Sequence, residues 1–209
     1  GREQEKLHDK KFRFTLTTNG VLLDDEVMEF ANQEMANVVL SIDGRKEVHD
    51  KMRPFRKGAG SYELIVPKFQ KLAESRNQDR YYVRGTFTHH NLDFSKDVLH
   101  LADLGFRQIS VEPVVAQPED DYALQEADVP KLVEEYDTLA AEMLKRHREG
   151  KDFNFFHYGN DVTDEQLMRS VPIDLFVVKY LGFRVSYIRL SSDGNICGLT
   201  AYACNHTLV

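Results

Sequence analysis

Along the first 150 residues the hydrophobic positions switch repeatedly between a period of two and a period near 3.6, and each switch predicts a change from strand to helix. Residues 11–17, where Phe12, Phe14 and Leu16 alternate with polar neighbours, predict a strand that ends in the turn Thr17-Thr18-Asn19-Gly20. Asp24 or Asp25 can cap a following helix with Val27, Phe30 and Ala31 on its apolar side. Asn37 to Ile42 (NVVLSI) is almost continuously apolar, as expected of a strand covered on both faces, and Asp43-Gly44 ends it. The charged stretch 44–60, with Pro54, Gly58 and Gly60, predicts a long loop. Ser61 then caps a helix to about Arg76, with Leu64, Ile65, Phe69 and Leu72 as its buried stripe and Pro67 inside it. Tyr81 to Thr88 predicts a strand from its aromatic and β-branched content. Ser95 to Leu104 predicts a helix stopped by Gly105, and Arg107 to Val111 a strand closed by Pro113. After an acidic loop at 116–128, Pro130 suits a first helical turn, and Leu132, Tyr136, Leu139 and Met143 carry that helix toward Gly150.

Four strand–helix units in succession predict an α/β fold with a parallel sheet. Four units are too few to close an eight-stranded barrel, so they suit part of a full or partial (β/α) barrel. The pattern changes near residue 151. Phe153 to Phe156 can form a strand, 159–182 has no clean period, and Val185 to Ser191 with Asn195 onward predicts a β-hairpin around Ser192-Asp193-Gly194. The expected organisation is therefore a barrel portion over 1–150 and a different, tail-like region over 151–209.

Composition narrows the function classes. The 209 residues are 42% hydrophobic and 29% charged, as in ordinary globular proteins. No apolar run approaches the roughly 20 residues that span a bilayer, so no membrane helix is expected. A net charge of -7 argues against nucleic acid as the main partner, although Arg45, Lys46, Lys51, Arg53, Arg56 and Lys57 form one dense cationic stretch. The two cysteines, Cys197 and Cys204, make no disulfide framework, which points to a reducing cytoplasm. The opening residues, Gly1 to Lys6, read as the middle of a helix and predict that the chain is a fragment.

Several residues at predicted strand ends carry candidate chemistry. Ser41 and Asp43, two apart, are expected on one side of their strand, where a hydroxyl and a carboxylate can bind a ligand or simply cap the turn. Arg84 sits in an otherwise apolar strand; a buried charge needs an anionic partner, either a ligand carboxylate or a neighbouring acid, unless it points outward. Thr17 and Asn19 end the first strand, with Asn19-Gly20 equally readable as a turn. Val111 and Glu112 end the fourth, where Glu112 is either a site residue or an ordinary solvent-facing acid. His49-Asp50 and Arg53 can order the cationic loop or grip a peptide, and His89-His90 lack a third residue spaced to complete a metal site.

The segments FRFTLTTNGVLLDDE, NVVLSIDGRKEVHDKMRPFRKGAGSYE, YYVRGTFT and RQISVEPVV, in this order, resemble radical S-adenosylmethionine enzymes of the SPASM type. The likeness covers roughly 1–158 and is nearest to the maturases of SCIFF peptides, which make thioether cross-links in a Cys-rich ribosomal peptide. It implies a partial barrel of which this chain holds about strands three to six. S-adenosylmethionine and a 4Fe–4S cluster are the implied cofactors. A Cys-rich precursor peptide and an electron donor such as ferredoxin or flavodoxin are the implied partners. The cluster-binding CxxxCxxC and the GGEP turn of such enzymes are absent from these residues, so the chain alone is expected to be inactive.

By the same resemblance Ser41 and Arg84 contact S-adenosylmethionine, Arg84 through the cofactor's carboxylate; by their position at strand ends Asp43, Thr17 and Asn19 are candidates for the cofactor site, and Val111 or Glu112 for bordering the adenine or the peptide. The DGNIC stretch, Asp193 to Cys197, resembles a SPASM hairpin, in which Cys197 and Cys204 would be ligands of an auxiliary cluster; two thiolates are too few for a four-cysteine cluster. Two other readings stay open from the residues themselves. One is a non-catalytic, peptide-binding partial barrel. The other is a different α/β-barrel metabolic enzyme, for which Gly58-Ala59-Gly60-Ser61 before a helix offers a weak anion site.

Overall fold

The computed structural model describes residues 1–158, 184–190 and 196–203. The chain divides into two compact units, Gly1–Asn160 and Asp161–Val209. In the first, α1 (Arg2–His8) precedes β1 (Thr15–Thr18), α2 (Asp25–Glu34), β2 (Asn37–Ser41), α3 (Lys46–Met52) and α4 (Tyr62–Ser75). Then follow β3 (Tyr81–Phe87), α5 (Phe94–Asp103), β4 (Gln108–Pro113), α6 (Val129–Arg148) and β5 (Asn154–Phe155). The five strands pair in parallel in sequence order, β1-β2-β3-β4-β5. Parallel neighbours joined in sequence order through helices form a succession of βαβ units. In the second unit, β6 (Arg184–Leu190) and β7 (Ile196–Ala203) pair antiparallel, at the positions expected for the hairpin.

One face of the sheet meets the helices. Val38, Leu40, Tyr81, Val83, Phe87, Ile109 and Val111 are buried there. Phe87 stacks on Phe94 of α5 at 4.4 Å between ring centroids, and Phe94 meets the Tyr136 ring of α6 edge-on at 4.8 Å. Such pairs add to the area they remove from water. The other face presents Thr15, Thr17, Ser41, Tyr82, Arg84, Thr86 and Glu112, all partly or fully exposed.

Several local expectations change. The first strand begins at Thr15 rather than residue 11, and Phe12 is exposed. Asp24 caps α2 through the Val27 N–H at 2.9 Å, as the sequence predicts, yet the buried residues are Met28 and Ala31 while Val27 and Phe30 are exposed. Leu64 is likewise exposed on α4. In both helices the apolar stripe that reaches the sheet is narrower than the run of apolar residues. The stretch 44–60 is not all loop, since α3 forms in it, closed by ion pairs that local patterning does not reveal. Ser61 does not cap α4. Asp50 does, accepting from the Tyr62 N–H at 2.9 Å, while the Ser61 hydroxyl turns back to the Arg53 carbonyl. Ser95 does not start α5, because its hydroxyl serves the buried Glu135.

Gly85 is required where the chain leaving β2 crosses β3. A Cβ there would lie 2.6 Å from the Ile42 carbonyl oxygen and 2.9 Å from Asp43 Cα. Backbone cannot yield as a side-chain tip does, so Gly85→Ala is expected to destabilise by about 1–3 kcal/mol, the cost typical of overpacking. A shift of the urea midpoint at unchanged slope checks it; an unshifted midpoint would show that the crossing relaxes freely.

Candidate functional site

The carboxyl ends of the parallel strands gather most of the polar residues singled out above. In parallel folds the loops leaving these ends build the site. Ser41, Arg84 and Ser110 stand in register across β2, β3 and β4, and Thr86 pairs with Glu112 one step further on. Arg84 is not buried in an apolar layer, contrary to the expectation from its neighbours: the strand alternates buried and exposed positions, and Arg84 falls on the open face. Among the described residues no hydrogen bond or ion pair engages its guanidinium, and Ser41, half-buried beside it, likewise makes no side-chain hydrogen bond.

Glu112 is not a solvent-facing acid. It accepts from the Ser110 hydroxyl at 2.6 Å and pairs with His157 Nε2 at 2.9 Å, and His157 Nδ1 lies 2.9 Å from the Tyr136 hydroxyl. Burial pushes its carboxyl pKa up, but the hydrogen bonds from His157 and Ser110 and the field of Arg84 outweigh that and hold it below the ordinary glutamate value. His157 and Tyr136 lie 45 and 24 residues from Glu112 in the chain, and no local signal marks them as its neighbours. Val111 is fully buried on the helix-facing side, so its side chain cannot border a ligand on the open face. Alternation along β4 puts it opposite Ser110 and Glu112.

Asp43 also departs from expectation. It is only 2% exposed and carries a two-pronged ion pair with Arg53, Nε to Oδ2 at 2.6 Å and Nη2 to Oδ1 at 3.0 Å. Its Oδ1 also accepts from the Thr86 N–H at 3.1 Å. This carboxylate is occupied from within, tying the end of β2 to that of β3, and it is not offered to a ligand. Thr17 is exposed on the open face of β1, while the Asn19 side chain accepts from the Val21 N–H and forms the turn itself.

Half of the cationic stretch is neutralised: Arg45 pairs with Asp97 and Asp93, Lys46 with Glu63, and Arg53 with Asp43. His89 and His90 each face an aspartate, Asp128 and Asp121, rather than a shared metal position. Among the described residues no group of three potential metal ligands converges. A groove between α2 and α4 is lined by Leu23, Met28 and Pro67, beside the loop that leaves β1. Its charges are already used, since Asp24 caps α2, Lys68 donates to the Val21 carbonyl and Lys71 pairs with Asp25. Cys197 falls within β7, of which only the backbone is described, and Cys204 lies outside the described residues.

No family model matches the sequence. The chain is similar to an uncharacterized protein of Synechocystis sp., with 27% identity over 109 residues, covering 49% of this chain and 27% of that relative. In fold it is similar to anSMEcpe, an anaerobic sulfatase-maturating enzyme, solved with bound AdoMet: TM-score 0.64, 17% identity, 75% of this chain and 43% of that one. Native anSMEcpe with bound AdoMet and the Kp18Cys peptide matches with TM-score 0.66 and 17% identity, over 99% of this chain and 56% of that one. The chain thus spans between about a quarter and a little over half the length of these relatives. The five-stranded parallel sheet with its helices has the partial-barrel fold of radical S-adenosylmethionine enzymes.

Proposed function

We propose that the chain is part of a radical S-adenosylmethionine enzyme that modifies a Cys-rich ribosomal peptide, with a thioether as the bond it makes. The observation that carries this reading is the Arg84 guanidinium on the open sheet face, without a hydrogen bond or ion pair among the described residues and in register with the Ser41 hydroxyl. These two residues fit the aminoacyl end of S-adenosylmethionine: a guanidinium matches a carboxylate in a fork, and a hydroxyl can supply a further hydrogen bond. Thr17 extends the same face toward β1. Glu112, kept ionised by His157 and Ser110, lies at the strand end toward an incoming peptide and can accept its N–H groups. When reduced by a 4Fe–4S cluster, S-adenosylmethionine supplies a 5′-deoxyadenosyl radical. None of the residues described here is offered as a ligand of that cluster. Cys197 and Cys204 are proposed as contributors to an auxiliary cluster, and the electron donor as a ferredoxin or flavodoxin.

The reading is supported by anSMEcpe, which has this fold and has been seen with bound AdoMet and a peptide. The test is to incubate the complete gene product, reconstituted with iron and sulfide under anaerobic conditions, with S-adenosylmethionine, a reductant and its Cys-rich peptide. The expected products are 5′-deoxyadenosine and a peptide lighter by two hydrogens for each thioether, with one thiol fewer open to thiol reagents per bond formed. Formation of 5′-deoxyadenosine with a peptide altered in another way would keep the enzyme class and discard the thioether. No binding of S-adenosylmethionine would discard both.

A further inference from the structure

Asp43, His49, Arg53 and Ser61 close a ring of polar contacts beside the strand ends, and none of them is given to a ligand above. The Asp43 backbone N–H donates to His49 Nδ1 at 3.3 Å. Nδ1 must therefore be unprotonated, and the imidazole proton of the neutral ring lies on Nε2. That nitrogen is 2.9 Å from Ser61 Oγ, whose own hydrogen is given to the Arg53 carbonyl at 3.0 Å. The serine oxygen can thus accept from Nε2–H, and one tautomer satisfies every bond in the chain. Arg53 returns to the start through its fork on the Asp43 carboxylate.

The histidine is only 1% exposed. It is faced by Asp43 from the end of β2, by Asp50 and Arg53 from α3 and its carboxyl end, and by Ser61 and Tyr62 from the start of α4. The Tyr62 ring lies 6.1 Å from the imidazole, and its hydroxyl pairs with His100 at 2.6 Å. Burial holds the His49 pKa below its ordinary value; the Asp43 and Asp50 carboxylates pull it up and Arg53 pushes it down.

A second proton on His49 would go to Nδ1. It would turn the acceptor of the Asp43 N–H into a donor facing a donor and bring a cation toward Arg53. The Asp43 carboxylate also holds the Thr86 N–H, so the disturbance reaches the end of β3 as well as β2. Arg84 and Ser41 are each two residues from that junction.

We propose that His49 is a positioning residue: its neutral Nε2–H tautomer holds the ends of β2 and β3 so that Ser41 and Arg84 face one ligand, and its protonation releases them. The ligand half of this statement rests on the reading of Ser41 and Arg84 given above; the tautomer and the release do not. The sign follows from burial. His49 in the folded protein titrates below its unfolded value, so its contribution is intact above the ordinary histidine pKa. It is lost progressively as pH falls through that value toward the lowered folded one. Ligand affinity should follow, falling by about tenfold per pH unit once below the folded pKa, the slope of a single proton.

Two measurements on the complete protein decide it. Nitrogen-15 spectra of the histidine rings should show His49 with a proton on Nε2 and a bare Nδ1 at neutral pH, titrating below the ordinary histidine value. A proton on Nδ1, or an ordinary titration, overturns the proposal without any variant having to fold. Binding of S-adenosylmethionine is then followed from neutral pH down through the lowered His49 pKa that the ring titration gives. The unsubstituted protein should lose affinity, whereas His49→Gln, which can still donate to Ser61 and cannot take up a proton, should give a nearly flat profile. Equal acid loss in both proteins overturns the positioning role while the ligand reading stands. Binding at no pH overturns the ligand reading and the positioning role together.

Discussion

Asp97→Ala should destabilise the protein by about 3–5 kcal/mol, the range found when one partner of a buried ion pair is removed. Asp97 is 0% exposed, and its carboxylate accepts from the Arg45 N–H at 3.0 Å, from Arg45 Nε at 2.7 Å and from Asn91 Nδ2 at 3.3 Å. Those contacts fasten the loop after β2 to α5, and they hold the Arg45 guanidinium more firmly protonated than usual. Gly44, at φ +134°, lets the chain come this close: a Cβ there would sit 2.3 Å from the Asp97 Cβ. Truncation strands a half-buried guanidinium and leaves a backbone N–H unmade. Asp93, the other carboxylate on Arg45, is 31% exposed along its side chain, so Asp93→Ala should cost no more than about 1 kcal/mol. Urea unfolding of the complete protein at fixed pH measures both. Equal small losses would mean that the Arg45–Asp97 contact does not fasten α5, whereas near-wild-type stability in Arg45→Met/Asp97→Leu together would show that the cost lies in the unpaired charge.

Arg84→Ala should weaken binding of S-adenosylmethionine by roughly 10- to 150-fold, the equivalent of losing a charged hydrogen bond worth about 1.5–3 kcal/mol. Because the side chain is exposed and makes no hydrogen bond or ion pair among the described residues, the substitution should leave the unfolding midpoint almost unchanged, which separates a binding role from a structural one. Arg84→Lys keeps the charge but not the fork, so its loss should fall between those of the wild type and the alanine variant. Ser41→Ala should lose less, about 0.5–1.5 kcal/mol for a neutral hydrogen bond. Calorimetric titration of the complete protein checks the order. Unchanged affinity in Arg84→Ala would remove this residue from the site and leave the partial barrel without its proposed carboxylate anchor.

The difference between the Arg84 expected from sequence and the Arg84 of the structure shows where local pattern stops. A charge among Tyr81, Tyr82, Val83 and Phe87 looks buried, because a strand's period of two tells which residues share a face and not which face is covered. The helices cover the Val83 side, and that choice exposes Arg84 while burying Val111. Asp43 and Ser41 were placed on one side by the same period, yet the chain turns over Gly85 immediately after β2 and carries Asp43 into the ion pair with Arg53. His49 and Asp50, adjacent and apparently alike as loop residues, have separate tasks: one bridges Asp43 to Ser61, and the other caps α4.

The sequence by itself determined the alternation of strands and helices, the parallel order that short βα connections impose, the hairpin of β6 and β7, and the presence of Ser41, Arg84 and Glu112 near strand ends. All of these follow from hydrogen-bond geometry and side-chain period over a few residues. Only the tertiary structure decided that α3 forms within 44–60, that Asp97 holds Arg45 and that Glu112 meets His157. Each of these depends on charges or polar groups finding partners tens of residues away, where desolvation leaves an unpaired charge too costly to bury and the packing of helices on one sheet face selects which partner lies within reach.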